Sequence, residues 1–130
     1  MKILVDTNVL FSAILFPNSV PSHVLKDVSK RHTLFLTDQN ISELKRIVSE
    51  KIPEKLPYLE AFLAELSYIL IHAMPTNEAL LRDTTDIPII NAAIIEGIDI
   101  IITGDKDFLD ADIAQPKCIR PSNYIQDYMS

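Results

Sequence analysis

The run Lys2-Ile3-Leu4-Val5-Asp6-Thr7-Asn8-Val9 constrains this chain more than any other stretch. Ile3-Leu4-Val5 is uninterrupted by polar residues and rich in β-branched side chains. That pattern suits a central strand covered on both faces, and therefore a parallel sheet. Asp6 follows without a spacer. In an open α/β sheet this position is the carboxyl edge of the strand, where ligands bind. Alone, Asp6 reads as easily as a helix cap or turn residue. The deciding point is whether other carboxylates arrive at the same edge.

Along the rest of the chain, short apolar runs alternate with segments of helical period. An apolar segment of mixed character from Val9 ends in the turn Phe16-Pro17-Asn18-Ser19. Val20, Val24, Leu25 and Val28 share one face of a helix expected over 19–29, closed by the positive charge of Arg31 and His32. Thr33-Leu34-Phe35-Leu36-Thr37 reads as a second strand. Asp38 is the expected N-cap of a helix over 39–50 with the apolar stripe Ile41, Leu44, Ile47 and Val48. Glu43 flanks that stripe.

A helix over 58–68 and a third strand, Ile69-Leu70-Ile71, come next, with His72 read as a strand-end residue, then a short helix over 77–81. Asp86 is expected to cap a further helix, with Pro88 in its first turn and Gly97 as its stop. That helix should bury Ile89, Ile90, Ala93 and Ile94, its small Ala92 and Ala93 permitting close packing on a sheet. A fourth strand over 98–103, a short edge strand at Cys118-Ile119 and a terminal helix over 122–128 complete the pattern. The expected architecture is α/β: a three-layer α/β/α sandwich around a parallel sheet of about five strands, in a single domain over residues 1–130.

Composition narrows the setting. With 48% hydrophobic and 23% charged residues the chain is globular and not disordered. No apolar run reaches the ~18 residues of a membrane span. Asp6 interrupts the N-terminus too early for a secretory signal. Cys118 is the only cysteine, which excludes an internal disulfide, fits a cytoplasmic location and reads as a core residue. A net charge of −6 argues against a protein that coats nucleic acid with a basic face. It leaves room for acids concentrated around a bound cation, which reverses the local charge logic.

The acids do converge in such a fold. Asp6 follows strand one, and Asp105 follows strand four after only Thr103 and Gly104. Glu43 lies in the first turns of the helix leaving strand two, and Asp86 begins the helix feeding strand four. Right-handed crossovers start their helices beside the carboxyl ends of the strands. All four can therefore reach one edge. Two like charges about 4 Å apart repel by about 4 kcal/mol at an effective dielectric near 20, so such a group needs a cation or shifted pKa values. Oxygen donors without a Cys/His set suit Mg2+ or Mn2+ over zinc, and such a site suits phosphodiester hydrolysis.

These residues resemble the PIN domain (PilT N-terminus) nuclease family. Val5-Asp6-Thr7-Asn8-Val9 is similar to its opening motif and Ser42-Glu43-Leu44 to its helical glutamate. Arg82-Asp83-Thr84-Thr85-Asp86-Ile87-Pro88 is similar to its acidic helix start, and Thr103-Gly104-Asp105-Lys106-Asp107-Phe108 to its closing motif. The resemblance covers essentially the whole chain. It implies that Asp6, Glu43, Asp86 and Asp105 are catalytic metal-binding acids, with Asp107 as a fifth ligand or the actual partner in place of Asp105. Asn8 and Thr103 would orient ligands or water, and Asp83 would support the site or substitute for Asp86. The implied activity is Mg2+- or Mn2+-dependent endonucleolytic cleavage of single-stranded RNA, typical of VapC-type toxins. Such toxins usually form homodimers and are held inactive by a small antitoxin.

Two other classes remain open from the residues. One is a non-catalytic interaction module on the same fold, against which the complete acidic set argues. The other is a phosphatase or receiver-type domain with an Asp acceptor. Position 8 is Asn where an Asp-x-Asp motif would need a second acid, and Lys106 lies between two acids. Nucleotide binding of the Rossmann type has no glycine-rich loop to support it, since the chain holds only Gly97 and Gly104.

Overall fold

The structure, a computed structural model, describes residues 1–73, 87–110 and 115–129. Its strands are β1 (Lys2–Val5), β2 (Thr33–Thr37), β3 (Ile69–Ile71), β4 (Ile100–Ile102) and β5 (Lys117–Ile119). Its helices are α1 (Thr7–Leu15), α2 (Val20–Arg31), α3 (Asp38–Lys51), α4 (Leu56–Glu65), α5 (Ile87–Glu96), α6 (Lys106–Leu109) and α7 (Pro121–Tyr128), with one 3-10 turn at Pro53–Lys55.

The five strands form one sheet in the order β3-β2-β1-β4-β5, and every pairing is parallel. β1 is the middle strand, and Ile3, Leu4 and Val5 have no exposed surface. Burying each of these side chains is worth about 1.5–3 kcal/mol, which is why the most apolar run takes the centre. The chain builds outward from β1 through β2 and β3, then returns to add β4 and β5 on the other side. This reversal opens a crevice at the carboxyl edge between β1 and β4.

Strand side chains alternate between two cores. Ile3, Val5, Ile100 and Ile102 face α1, α2, α3, α4 and α7, packing with Leu10, Val24, Leu44, Leu59 and Tyr124. Leu4, Phe35 and Ile101 face the other way, onto Ile89, Ile90, Ala93 and Phe108 of α5 and α6. The three-layer α/β/α sandwich with a five-stranded parallel sheet is therefore present as expected.

Several local expectations need correction. The apolar segment after Asp6 is helix α1; Thr7, Val9, Leu10, Ala13 and Ile14 are buried against the sheet core, α2 and α3. A helix covered on so many sides shows little apolar–polar contrast in sequence. The N-cap of α3 is Thr37 and not Asp38: the Thr37 hydroxyl accepts from the Asn40 amide at 3.0 Å. α4 starts at Leu56 and stops at Glu65, earlier than its apolar spacing suggests. Ile94 is exposed and not buried; the inner face of α5 is Ile89, Ile90, Ala92 and Ala93. The short helix expected over 77–81 lies outside the described residues.

Gly97 does stop α5. It adopts φ 69°, a left-handed conformation that favours glycine. The Gly97 amide donates to Ile94 O at 3.2 Å and the Ile98 amide to Ala93 O at 2.9 Å, the two bonds of a Schellman motif. This turn delivers the chain into β4 beside β1.

Candidate active site at the carboxyl edge

Register determines which side chains meet. Leu4 on β1 pairs with Phe35 on β2 and with Ile101 on β4. Two residues further along each strand stand Thr37, Asp6 and Thr103, on the same side of the sheet by the period of two. The parallel ladder runs past the strand ends, since the Asp6 amide donates to Ile102 O at 3.0 Å. Asp6 and Thr103 are thus neighbours through backbone pairing, before any side chain is considered.

Asp6 occupies the N-cap position of α1, with extended backbone at φ −77° and ψ 161°, yet makes no capping hydrogen bond. Its carboxylate is engaged elsewhere. The Thr103 hydroxyl donates to Asp6 Oδ2 at 2.9 Å, and Asn40 Nδ2 donates to Asp6 Oδ1 at 3.3 Å. Asp6 is only 5% exposed. Burial raises its pKa above the ordinary carboxylate value; the Thr7 amide and Thr103 hydroxyl pull it down, and the charges of Asp105 and Glu43 push it up again. Asp6 thus feels the charge of both other acids.

Asn40 links them. Its side chain has no exposed surface. Besides Asp6, Nδ2 donates to Thr7 Oγ1 at 2.9 Å, and Oδ1 accepts from the Thr37 hydroxyl at 2.8 Å. The Thr7 hydroxyl lies 3.3 Å from Glu43 Oε2, and Gln39 Nε2 donates to Glu43 Oε1 at 3.2 Å. Glu43, partly buried on the second turn of α3, is thereby tied to the start of α1. On the other flank, the Asp105 amide donates to Thr103 Oγ1 at 3.0 Å, and Asp105 Oδ1 accepts from the Asp107 amide at 2.9 Å as the N-cap of α6.

Of the residues picked out in the sequence, Asp6, Glu43, Asp105 and Thr103 come together at this edge. Asp107 is exposed on the first turn of α6, and it is Asp105 whose charge acts on Asp6. Asn8 is exposed on the first turn of α1. Asp83 and Asp86 lie outside the described residues. Sequence reasoning missed Asn40, Thr7 and Thr37. The available signal was spacing: Thr37, Asn40 and Glu43 recur every three residues on one face of α3, and Thr7 follows the strand-end acid directly.

Two other titratable groups adjoin the edge. Asp38 accepts from His72 Nδ1 at 2.9 Å, from the Ala73 amide at 2.9 Å and from the Gln39 amide at 2.8 Å. The Ala73 amide, then His72, hold its carboxyl below the ordinary value. Cys118 is half-buried, and burial, with the charge of Asp6, pushes its thiol up to about 11. It is not a nucleophile at neutral pH.

The donor set bears on metal binding. Asp6, Glu43 and Asp105 take part in none of the ion pairs among the described residues, which join Asp27, Glu50, Glu60 and Asp38 to other partners. Their hydrogen-bond donors among the described residues are neutral hydroxyls and amides. Oxygen donors carrying negative charge without a protein counter-ion fit a hard divalent cation. Among the described residues, no three Asp, Glu, His or Cys side chains stand close enough to hold an ion by themselves.

Comparison with known proteins decides the family. The PIN domain model matches residues 2–107. The chain belongs to the PIN domain family. Proteins with this domain are generally nucleases. An uncharacterized protein of Methanocaldococcus jannaschii is 33% identical to this PIN domain over 117 residues, covering 84% of this chain and 74% of its own. The crystal structure of VapBC2 from Rickettsia felis bound to a DNA fragment from their promoter superposes with a TM-score of 0.66 at 20% identity, over 92% of this chain and 97% of the matched chain. At that identity the likeness speaks for the fold. Among the described residues, no helix is long and apolar enough to cross a membrane.

Proposed function

We propose that this PIN domain is a divalent-metal-dependent endoribonuclease that cleaves phosphodiester bonds of single-stranded RNA in the cytoplasm, as the toxin of a toxin–antitoxin pair. The observation that carries the reading is the meeting of Asp6, Glu43 and Asp105 at one sheet edge, held by neutral donors and in no ion pair among the described residues. A carboxylate that is buried, raised in pKa and fixed at both oxygens has a role that charge neutralisation must complete. Family membership and a VapBC structural neighbour support nuclease chemistry and a small antitoxin partner. Homodimerisation and residues 1–130 as one functional domain belong to the same reading.

In this reading Asp6, Glu43, Asp86 and Asp105 would hold Mg2+ or Mn2+, which would supply activation of water and neutralisation of charge on the departing oxygen. The protein's part is placement. Thr103 and Asn40 aim the two oxygens of Asp6. Thr7 and Gln39 fix Glu43. Hydrolysis joins the water oxygen to phosphorus, breaks one phosphorus–oxygen bond and leaves a proton on the released hydroxyl. Asn8, exposed on the first turn of α1, would meet substrate, and Asp107 and Asp83 would be supporting acids.

Purified protein is expected to cleave single-stranded RNA with Mn2+ or Mg2+, to stop when a chelator is added, and to stay inactive as Asp6→Asn. Cleavage that survives Asp6→Asn would assign the activity to a contaminant. Absence of both cleavage and calorimetric Mn2+ binding would make the chain a non-catalytic interaction module.

A further inference from the structure

The register of the sheet brings one more residue to this edge. Leu4, Ile101 and Cys118 are direct neighbours on β1, β4 and β5. The ladder continues beyond them, since the Thr103 amide donates to Ile119 O at 2.9 Å. Two residues past that row stand Asp6, Thr103 and Arg120, on one side of the sheet by the period of two. With strands about 4.8 Å apart, the backbone of Arg120 is roughly 10 Å from that of Asp6. An arginine side chain spans much of that gap.

Arg120 differs from the other described arginines. Arg31 is paired with Asp27 at 3.0 Å, and Arg46 with Glu50 at 3.3 Å. Arg120 is exposed, and no carboxylate among the described residues pairs with it. Its contribution to the start of α7 is made by its backbone, whose amide donates to Asn123 Oδ1 at 3.4 Å. Having no acceptor atom, the guanidinium cannot cap α7, and it makes no ion pair among the described residues. In a protein of net charge −6, an arginine two strands from Asp6 with no ion-pair partner among the described residues adds a local field of opposite sign.

We infer that Arg120 is a phosphate-binding residue that holds a backbone phosphate of the RNA strand beside the one cleaved at Asp6. This rests on the ribonuclease reading above. A polyanion brought to an acid-lined edge needs fixed positive charge outside the metal site, or repulsion opposes its approach. The planar fork of arginine meets two phosphate oxygens at once, which adds geometry to charge. Its place in the row runs the bound strand across the carboxyl ends of β1, β4 and β5.

The experiment is steady-state cleavage of a short single-stranded oligoribonucleotide of mixed sequence in Mn2+, across a series of salt concentrations. Arg120→Gln is expected to raise KM about tenfold with kcat retained, the loss of one charge-assisted contact. The slope of log KM against log salt should fall by about 0.7, the value for one phosphate contact on a single strand. Arg120→Lys should keep the salt slope and recover KM in part. Arg46→Gln, which removes the same charge elsewhere, should change neither, and calorimetric Mn2+ affinity of Arg120→Gln should match wild type. Unchanged KM and slope in Arg120→Gln overturn the phosphate contact while the ribonuclease reading stands. Loss of kcat and Mn2+ affinity together would make Arg120 a structural support and also overturn it. No cleavage by the wild-type protein removes the reading beneath it.

Discussion

Asn40 Nδ2 lies 3.3 Å from Asp6 Oδ1, so a side chain with no exposed surface holds one oxygen of a carboxylate whose other oxygen is held by Thr103. Two elements that leave different strands thus fix a single acid. Asn40→Ala removes the donor to Asp6 and Thr7 together with the partner of the Thr37 hydroxyl. The fold is expected to lose about 1–3 kcal/mol in urea denaturation. Cleavage should fall by about tenfold or more, as for other groups that orient ligating side chains. A destabilised variant with wild-type cleavage would show that Asp6 keeps its orientation without Asn40.

Asp6 strains the fold when ionised. In the unfolded chain it titrates near the ordinary 3.8; in the fold, burial first and then the charges of Asp105 and Glu43 keep its proton to higher pH. Between those values the folded state binds more protons, so stability falls as pH rises through the window and stays lower at neutral pH. Asp6→Asn should therefore raise Tm at neutral pH without divalent cations, and the gain should vanish below the ordinary carboxylate range. Added Mn2+ should raise the Tm of wild type and not of the variant. A neutral-pH Tm for Asp6→Asn at or below wild type would contradict the burial argument.

Asp105 and Asp107 should separate in a kinetic comparison. Asp105 acts on Asp6 and caps α6, whereas Asp107 is exposed. Asp105→Asn, which retains a capping oxygen, is expected to lower kcat by about a hundredfold. Asp107→Asn should leave it nearly unchanged. The reverse ranking would move the ligand role to Asp107.

Asp38 has the opposite pH signature. The Ala73 amide and His72 hold its folded pKa below the unfolded value. The stability it contributes is present above the ordinary carboxylate range and is lost as pH falls through the lowered folded pKa. In thermal unfolding, Asp38→Asn should lie below wild type at neutral pH, and the two curves should converge on acidification. Its exposure keeps the difference modest. Curves that stay parallel across the acid range would show that the carboxylate bonds contribute nothing.

The frame of this protein was legible because its decisive signals are local. Ile3-Leu4-Val5 and Ile100-Ile101-Ile102 are apolar runs too short for anything but buried strands, and each ends in a polar group that the sheet must present at its edge. Asp6, Glu43 and Asp105 could be chosen by their place relative to those runs. What escaped depended on neighbours far along the chain. α1 lacks a polar face because the sheet, α2 and α3 cover it. Ile94 fits the helical stripe in sequence but turns outward, since α5 lies on the sheet through Ile89, Ile90, Ala92 and Ala93. Asn40 reads as a neutral helix residue until Asp6, 34 positions earlier, is placed beneath it.

Asp6 and Thr103 are separated by 97 positions, and β4 is the fourth of the five described strands to be made. At about 5–20 residues per second, roughly 5–20 seconds of translation pass between the two. Throughout that interval the nascent chain carries Asp6 without the hydroxyl that orients it and without Asp105. A fragment released by a stalled ribosome before β4 retains Asp6, Asn40 and Glu43 but lacks Thr103 and Asp105. On the ribonuclease reading, the order in which this sheet is synthesised completes the acidic edge only once β4 and Asp105 have been made.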